Sequence, residues 1–204
     1  MYIMYIKNEF YLQFMIYAYI DICYNRIGIY LWRFLIMSFT EIQPKELDTN
    51  FFEAIGKQWM LITAGNKEKF NTMTASWGGV GVLWNKNVTF TFIRDSRYTR
   101  EFVDNGEYFT LSLFGGQFMK ELGYCGKYSG RDVDKIKETG LVPLFDAHAP
   151  YFEQAETVIV CKKLYKQKMT PDGFTDKSFV ETFYSDNDWH EIYVGEIVKV
   201  LKKS

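Results

Sequence analysis

Asn71-Thr-Met-Thr-Ala-Ser-Trp-Gly-Gly79 is the stretch on which the fold turns. Met73, Ala75 and Trp77 alternate with Thr72, Thr74 and Ser76, a period of two that belongs to a strand with one apolar face. The same signature recurs on either side. Residues 58–64 (QWMLITA) form a short apolar run ending at a Gly-Asn turn, and residues 87–93 put Val88, Phe90 and Phe92 on one face. Residues 108–114, 157–164, 178–183 and 192–201 complete a set of about seven expected strands. Helical pieces are fewer and short: residues 50–56, 98–104 with Ser96 as a possible N-cap, 117–124, and 133–139 ending at Gly140. Short strands in excess of helices point to a mainly β protein, a closed or partly closed antiparallel barrel with short flanking helices. A doubly wound sheet would need helix and strand to alternate regularly, and they do not.

The first 36 residues differ from the rest. They are rich in Tyr, Ile, Phe and Met, lack Pro, Ser and Thr, and give way abruptly to MSFTEIQPKELDTNFF at Met37. Lys7, Glu9, Asp21, Arg26 and Arg33 interrupt the segment too often for a transmembrane helix, which needs roughly 18 to 20 apolar residues. A signal peptide would need a basic start and a small-residue cleavage site. The bias towards residues encoded by AT-rich codons favours an upstream extension, with Met37 as the working start. A membrane-surface helix is the alternative. The expected organisation is thus a non-native or poorly ordered 1–36 followed by one domain over 37–204.

Twenty-four Lys and Arg against 25 Asp and Glu leave a net charge of −1, so no global basic field exists to attract nucleic acid. Three widely spaced cysteines without a CxxC pair exclude a disulfide framework and fit a reducing cytoplasm. Only two histidines are present, and no metal site is expected. Neither a membrane nor a nucleic acid is an expected partner.

Four segments carry chemistry. In the first, Thr72, Thr74 and Ser76 offer short hydrogen-bonding side chains beside the main chain. A flat heteroaromatic ring can lie against such an edge; a Thr-rich solvated face is the plainer reading of the pattern alone. The second, Arg94-Asp-Ser-Arg-Tyr-Thr-Arg100, opens a helix and brings three arginines, Ser96 and Thr99 to a place suited to an anion. Asp95 there needs a compensating cation such as Arg94 or Arg97. The third, residues 123–135 (GYCGKYSGRDVDK), combines three glycines with Ser129, Arg131 and Lys135 but has neither a P-loop nor a GxGxxG spacing. The fourth, residues 188–195 (DWHEIYVG), leads into the last strand through His190, a possible proton shuttle or ligand donor.

In this order the four segments resemble the flavin reductase-like family of FMN-binding split barrels, and within it the flavoredoxin type. The likeness runs from about Phe51 to Leu201. It implies an antiparallel split β-barrel holding FMN. Thr72, Thr74, Ala75, Ser76 and Trp77 would hold the ring, Ser96, Arg97 and Thr99 the phosphate and ribityl chain, and Ser129, Gly130 and Arg131 would form a second contacting loop. His190, with Asp188, falls at the active-site mouth and is the catalytic candidate. The resemblance also implies a homodimer and NAD(P)H as the hydride donor, with electrons passing to a flavin, ferric or protein acceptor. A flavoredoxin-like carrier with a protein donor, or a non-catalytic binding barrel, shares the same motifs.

Overall fold

The computed structural model describes residues 39–203, so the reading of residues 1–36 lies outside the described residues. Ten strands follow in chain order: β1 (Phe39–Ile42), β2 (Met60–Gly65), β3 (Phe70–Ala75), β4 (Gly78–Leu83), β5 (Lys86–Arg94), β6 (Tyr108–Leu113), β7 (Pro143–Leu144), β8 (Tyr151–Phe152), β9 (Thr157–Lys168) and β10 (His190–Lys203). Five short helices intervene: α1 (Phe51–Gly56), α2 (Tyr98–Asn105), α3 (Met119–Lys127), α4 (Lys135–Thr139) and α5 (Ser178–Phe183).

One antiparallel sheet runs β3-β2-β6-β9-β10-β5-β4, with β1 added on β10, and β7 and β8 form a separate pair. Met60, Ile62, Met73, Phe109, Ile159, Ile93 and Tyr193, drawn from six of these strands, share one buried cluster. The sheet therefore wraps around a common interior, and α1 and α2 add Ile55 and Val103 to it. The two ends of the sheet path, β3 and β4, are consecutive in the chain and joined only by Ser76 and Trp77.

β2 is buried from Met60 to Ala64 on both faces, which is why QWMLITA reads as a continuous apolar run rather than an alternating one. On β3, Met73 and Ala75 face the interior as expected. The threonine face is covered instead of solvated: Thr72 Oγ1 lies 2.8 Å from Thr63 Oγ1, and Thr74 Oγ1 donates to Leu122 O of α3 at 2.5 Å. Trp77 leaves the expected pattern because β3 ends at Ala75, and it is 42% exposed.

On β5, Val88, Phe90 and Phe92 share a face as expected, Val88 fully buried and both phenylalanines half-buried, while Thr89, Thr91 and Ile93 on the other face are all fully buried. The interior is narrow there: Thr89 sits opposite Gly195, with Cys161 Sγ 3.3 Å from its hydroxyl, so small side chains fit where Phe would not. Residues 178–183, read as a strand, form helix α5. Asp176 accepts the Ser178 N–H at 2.9 Å to start it, and Phe179 and Phe183, four residues apart, stack at 6.1 Å.

β4 escaped the sequence reading because three of its six residues are glycine. At α2, Arg97 occupies the N-cap position without a side-chain capping bond, and Ser96 is engaged elsewhere. Asp134 caps α4 by accepting the N–H groups of Ile136 and Lys137, both at 3.1 Å.

Candidate functional site

The break between β3 and β4 opens a cleft of about 170 Å³ lined by Met73, Thr74, Ala75, Ser76, Trp77, Phe92, Arg94, Arg97 and His190. Six residues named from sequence, Thr74, Ala75, Ser76, Trp77, Arg97 and His190, meet here although 116 positions separate the first from the last. Phe92 was missed as a lining residue because alternation along residues 87–93 groups side chains on a face without showing what that face meets.

The main chain at the break has hydrogen-bonding capacity to spare. β3 pairs only with β2. Lys135 Nζ reaches Thr72 O at 2.7 Å from outside the sheet, so by the strand's two-residue repeat the peptide groups of Thr74 point outward as well. Beyond the strand, the N–H groups of Ser76 and Trp77 and the Ser76 hydroxyl have no hydrogen-bond partner among the described residues. Trp77 lies 5.1 Å from the His190 ring, and Phe92 lies edge-on to His190 at 6.5 Å. Aromatic walls thus face a row of unspent donors.

The two guanidinium groups beside this row are fixed by the chain itself. Arg94 donates to Asp188 O and Phe183 O, each at 2.8 Å, and packs over the Tyr184 ring at 5.4 Å. Arg97 donates to Gly126 O at 2.5 Å, and Lys135 donates to the neighbouring Cys125 O at 2.8 Å. Both carbonyls belong to the last turn of α3, where a helix leaves its C=O groups without intrahelical partners and favours cations.

His190 Nδ1 is held 2.8 Å from the Tyr184 hydroxyl. Burial, with the charge of Arg94, pushes its pKa down to about 4. His190 is therefore a neutral imidazole near pH 7, able to donate one hydrogen bond but carrying no positive charge.

The expected anion-binding residues are distributed differently. Ser96 donates its N–H and hydroxyl to the carboxylate of Asp188 at 2.9 and 2.6 Å. Thr99 is fully buried and accepts from Asn71 Nδ2 at 2.8 Å. Asp95 is compensated not by Arg94 or Arg97 but by Arg100 at 2.7 Å and Lys168 at 2.5 Å.

Thr72, Gly130 and Arg131 line a second cleft of about 420 Å³ with Lys135. Ser129 stands at its edge, accepting the Arg131 N–H at 3.2 Å. The Arg131 side chain pairs with Glu101 and stacks on Tyr98 at 4.5 Å. A Cβ on Gly130 would lie 2.0 Å from Asn71 Oδ1, so glycine is required for this loop to rest on β3.

Lys135 is 6% exposed, and burial, with the charge of Arg97 nearby, brings its pKa down to about 8. Below that pH it is charged in both folded and unfolded chains, and the buried charge opposes folding. Between about 8 and the ordinary 10.5 the folded chain releases a proton that the unfolded chain keeps, so stability rises with pH. Cys125, pushed up to about 11 by burial, opposes this at alkaline pH. The prediction therefore concerns a difference: relative to Lys135→Met, the native chain should gain stability across pH 8 to 10.5, read from urea midpoints. A pH-independent difference would contradict it.

A family model described as flavin reductase like domain matches residues 52–204. The chain belongs to this family. Among solved structures, the flavin reductase-like chain is similar to an FMN-binding domain of a flavin reductases-like enzyme from Shewanella baltica, at 12% identity and TM-score 0.59, covering 81% of this chain and 78% of that one. It is similar to the flavoredoxin of Desulfovibrio vulgaris at 21% identity and TM-score 0.53, covering 70% and 67%. It is also similar to the NADH:FAD oxidoreductase of Streptomyces globisporus in complex with NAD and FAD fragments, at 16% identity and TM-score 0.53, covering 71% and 73%. No curated protein matches it. The fold of the flavin reductase-like chain is thus the split barrel that its motifs led us to expect. Among the described residues no helix is long and apolar enough to cross a membrane, and no group of His, Cys, Asp and Glu is arranged to hold a metal ion.

Proposed function

We propose that this chain binds FMN at the break between β3 and β4 and is an NAD(P)H-dependent oxidoreductase, with a flavin, a ferric complex or a protein as electron acceptor. The observation that carries this reading is the row of unspent donors, Ser76 N–H, Trp77 N–H and Ser76 Oγ, set between aromatic walls. A flavin matches that chemistry: a flat ring for Trp77 and Phe92, with carbonyl and imine acceptors along one edge for the donors. When bound, FMN would supply the hydride and electron chemistry.

The chain's own residues do the rest. Ser76 and Trp77 would hold one edge of the ring without rearrangement, because they follow directly on the strand that ends at Ala75. Arg94 and Arg97 would favour negative charge on that edge, as cations already held in place by the chain's own carbonyls do. Neutral His190 contributes a hydrogen bond and one wall. Phe183 of α5 packs edge-on against Trp77 at 5.4 Å and narrows the approach, which limits water at the ring. Thr72, Gly130, Arg131 and Lys135 line the larger cleft available to the ribityl phosphate.

We extend the proposal to a homodimer, supported by β4, an edge strand with Val82 72% exposed and Trp84 55% exposed at its turn. A monomer in sedimentation equilibrium would remove that part. Cys125 and Cys161 are free and buried, which fits a reducing cytoplasm as the compartment.

The test is an absorbance spectrum of the purified protein, with FMN added if it is colourless, followed by anaerobic NADH and NADPH. Flavin bands that bleach within seconds are the expected result. Bound flavin that either nucleotide leaves oxidised would point to a flavoredoxin-like carrier served by a protein donor. Failure to take up FMN would reduce the chain to a non-catalytic split barrel.

A further inference from the structure

A third cleft, of about 430 Å³, lies between α2, the β2–β3 turn and the start of β6, and it shares no lining residue with the two clefts already described. Its walls are aromatic. Tyr98 and Phe102 meet edge to face at 5.0 Å, and Tyr108 stacks on His148 at 4.4 Å with their planes 17° apart. Nothing in the flavin reading uses these four rings together.

Of the charged side chains that line the cleft, Lys69 alone has no ion-pair partner among the described residues. Glu101 is paired with Arg131, and Glu107 with Lys162 at 2.9 Å. Lys69 stands over both the Tyr98 and Phe102 rings at 5.9 Å and has no carboxylate partner among the described residues. An exposed ammonium above aromatic walls, with the two carboxylates that line the cleft already paired, suits a ligand that is flat at one end and anionic at the other. At the rim Asn105 adds an amide of the kind that reads the edge of a base, and Asn66, whose Oδ1 accepts the N–H groups of Glu68 and Lys69, adds its Nδ2 donor. The volume lies within the range of small-molecule sites, roughly 300 to 1,000 Å³.

We propose that this cleft is a nucleotide site, taking a purine base against its aromatic walls and a phosphate at Lys69. The proposal stands apart from the flavin site and does not need FMN to bind. Two sources present this chemistry, a free mononucleotide and the adenylate end of a dinucleotide.

Calorimetric titration of the full chain with AMP tests it, with adenosine and inorganic phosphate as the separate halves and FMN as competitor. Saturable AMP binding that outlasts excess FMN is expected. Lys69→Gln should weaken it about tenfold, the loss of one charge-assisted hydrogen bond. His148→Ala should weaken it further, and adenosine alone should bind more weakly than AMP. Both positions are exposed, so neither change should disturb folding. FAD affinity that falls with Lys69→Gln while FMN affinity holds would assign the site to a dinucleotide; FAD affinity that does not fall would assign it to the free nucleotide. No saturable AMP binding, displacement of AMP by FMN, or AMP affinity unchanged in both variants would overturn the proposal.

Discussion

Arg94→Met is expected to lower stability by about 3 kcal/mol and to weaken FMN at least tenfold. The guanidinium joins the end of β5 to the segment that leads into β10, through two carbonyls each 2.8 Å away, and its aliphatic stem and charge lie on Tyr184. Hydrogen bonds to a charged group contribute about 1.5 to 3 kcal/mol each, and the abandoned Asp188 carbonyl would remain partly buried without a donor, while the exposed Phe183 carbonyl would turn to water. Methionine fills similar volume, so the loss reports the bonds rather than a cavity. The consequence for the cleft is direct. Phe183 and Asp188 are held from the backbone by Arg94, Phe183 closes on Trp77, and Asp188 occupies the Ser96 donors. Arg94→Lys should recover only part of either effect, because a single ammonium cannot serve both carbonyls in the fixed geometry of the fork. Urea unfolding and fluorescence titration with FMN measure the two effects. A variant with native midpoint and native affinity would show that Arg94 holds nothing together.

Gly195→Ala is expected to destabilise the fold by about 3 kcal/mol, at the upper end of what overpacking usually costs. An added methyl would lie 2.7 Å from Phe109 Cζ and 2.8 Å from Cys161 Cβ, both in the fully buried interior. Neither neighbour is a flexible surface side chain. The strand cannot slide away, because Gly195 is paired on both sides, with Thr89 and with Lys163, beside a register shift that already places Leu164 as an extra residue on β9. In a chain of this size the melting temperature should fall by roughly 6 to 12 °C. Combining the change with Phe109→Leu should give a protein more stable than the two separate losses predict, since the second change relieves the contact made by the first. Strict additivity in that double-mutant cycle would refute the steric account.

What the sequence disclosed followed from periodicity where periodicity was clean. β2, β3, β6 and β10 were legible because apolar side chains repeat along them, and the end of α4 because Gly140 marks it. β4 was not, since Gly78, Gly79 and Gly81 carry no side-chain pattern. Residues 178–183 misled because Phe and Val suit a strand, yet no strand lies beside them to supply a ladder, and the four-residue spacing of Phe179 and Phe183 was the helical signal. On β5 the alternation was real but its direction was not legible: Thr89 and Thr91 face inward because the interior there admits only small groups. At the site, the residues of one segment could be grouped from sequence, and Thr74 to Trp77 did stay together. The bond between Ser96 and Asp188 spans 92 positions and is set by the docking of β5 against β10, which no local pattern encodes.

The break at Ser76 and Trp77 has an implication for how this protein can evolve. A strand that ran unbroken from β3 into β4 and paired along its whole length would consume the very amides that now face the cleft. Recognition here is made from an imperfection in the barrel, so selection for stability and selection for binding pull on the same two peptide groups in opposite directions. Sequence changes that healed the seam would yield a sturdier protein with nothing left to offer a ligand.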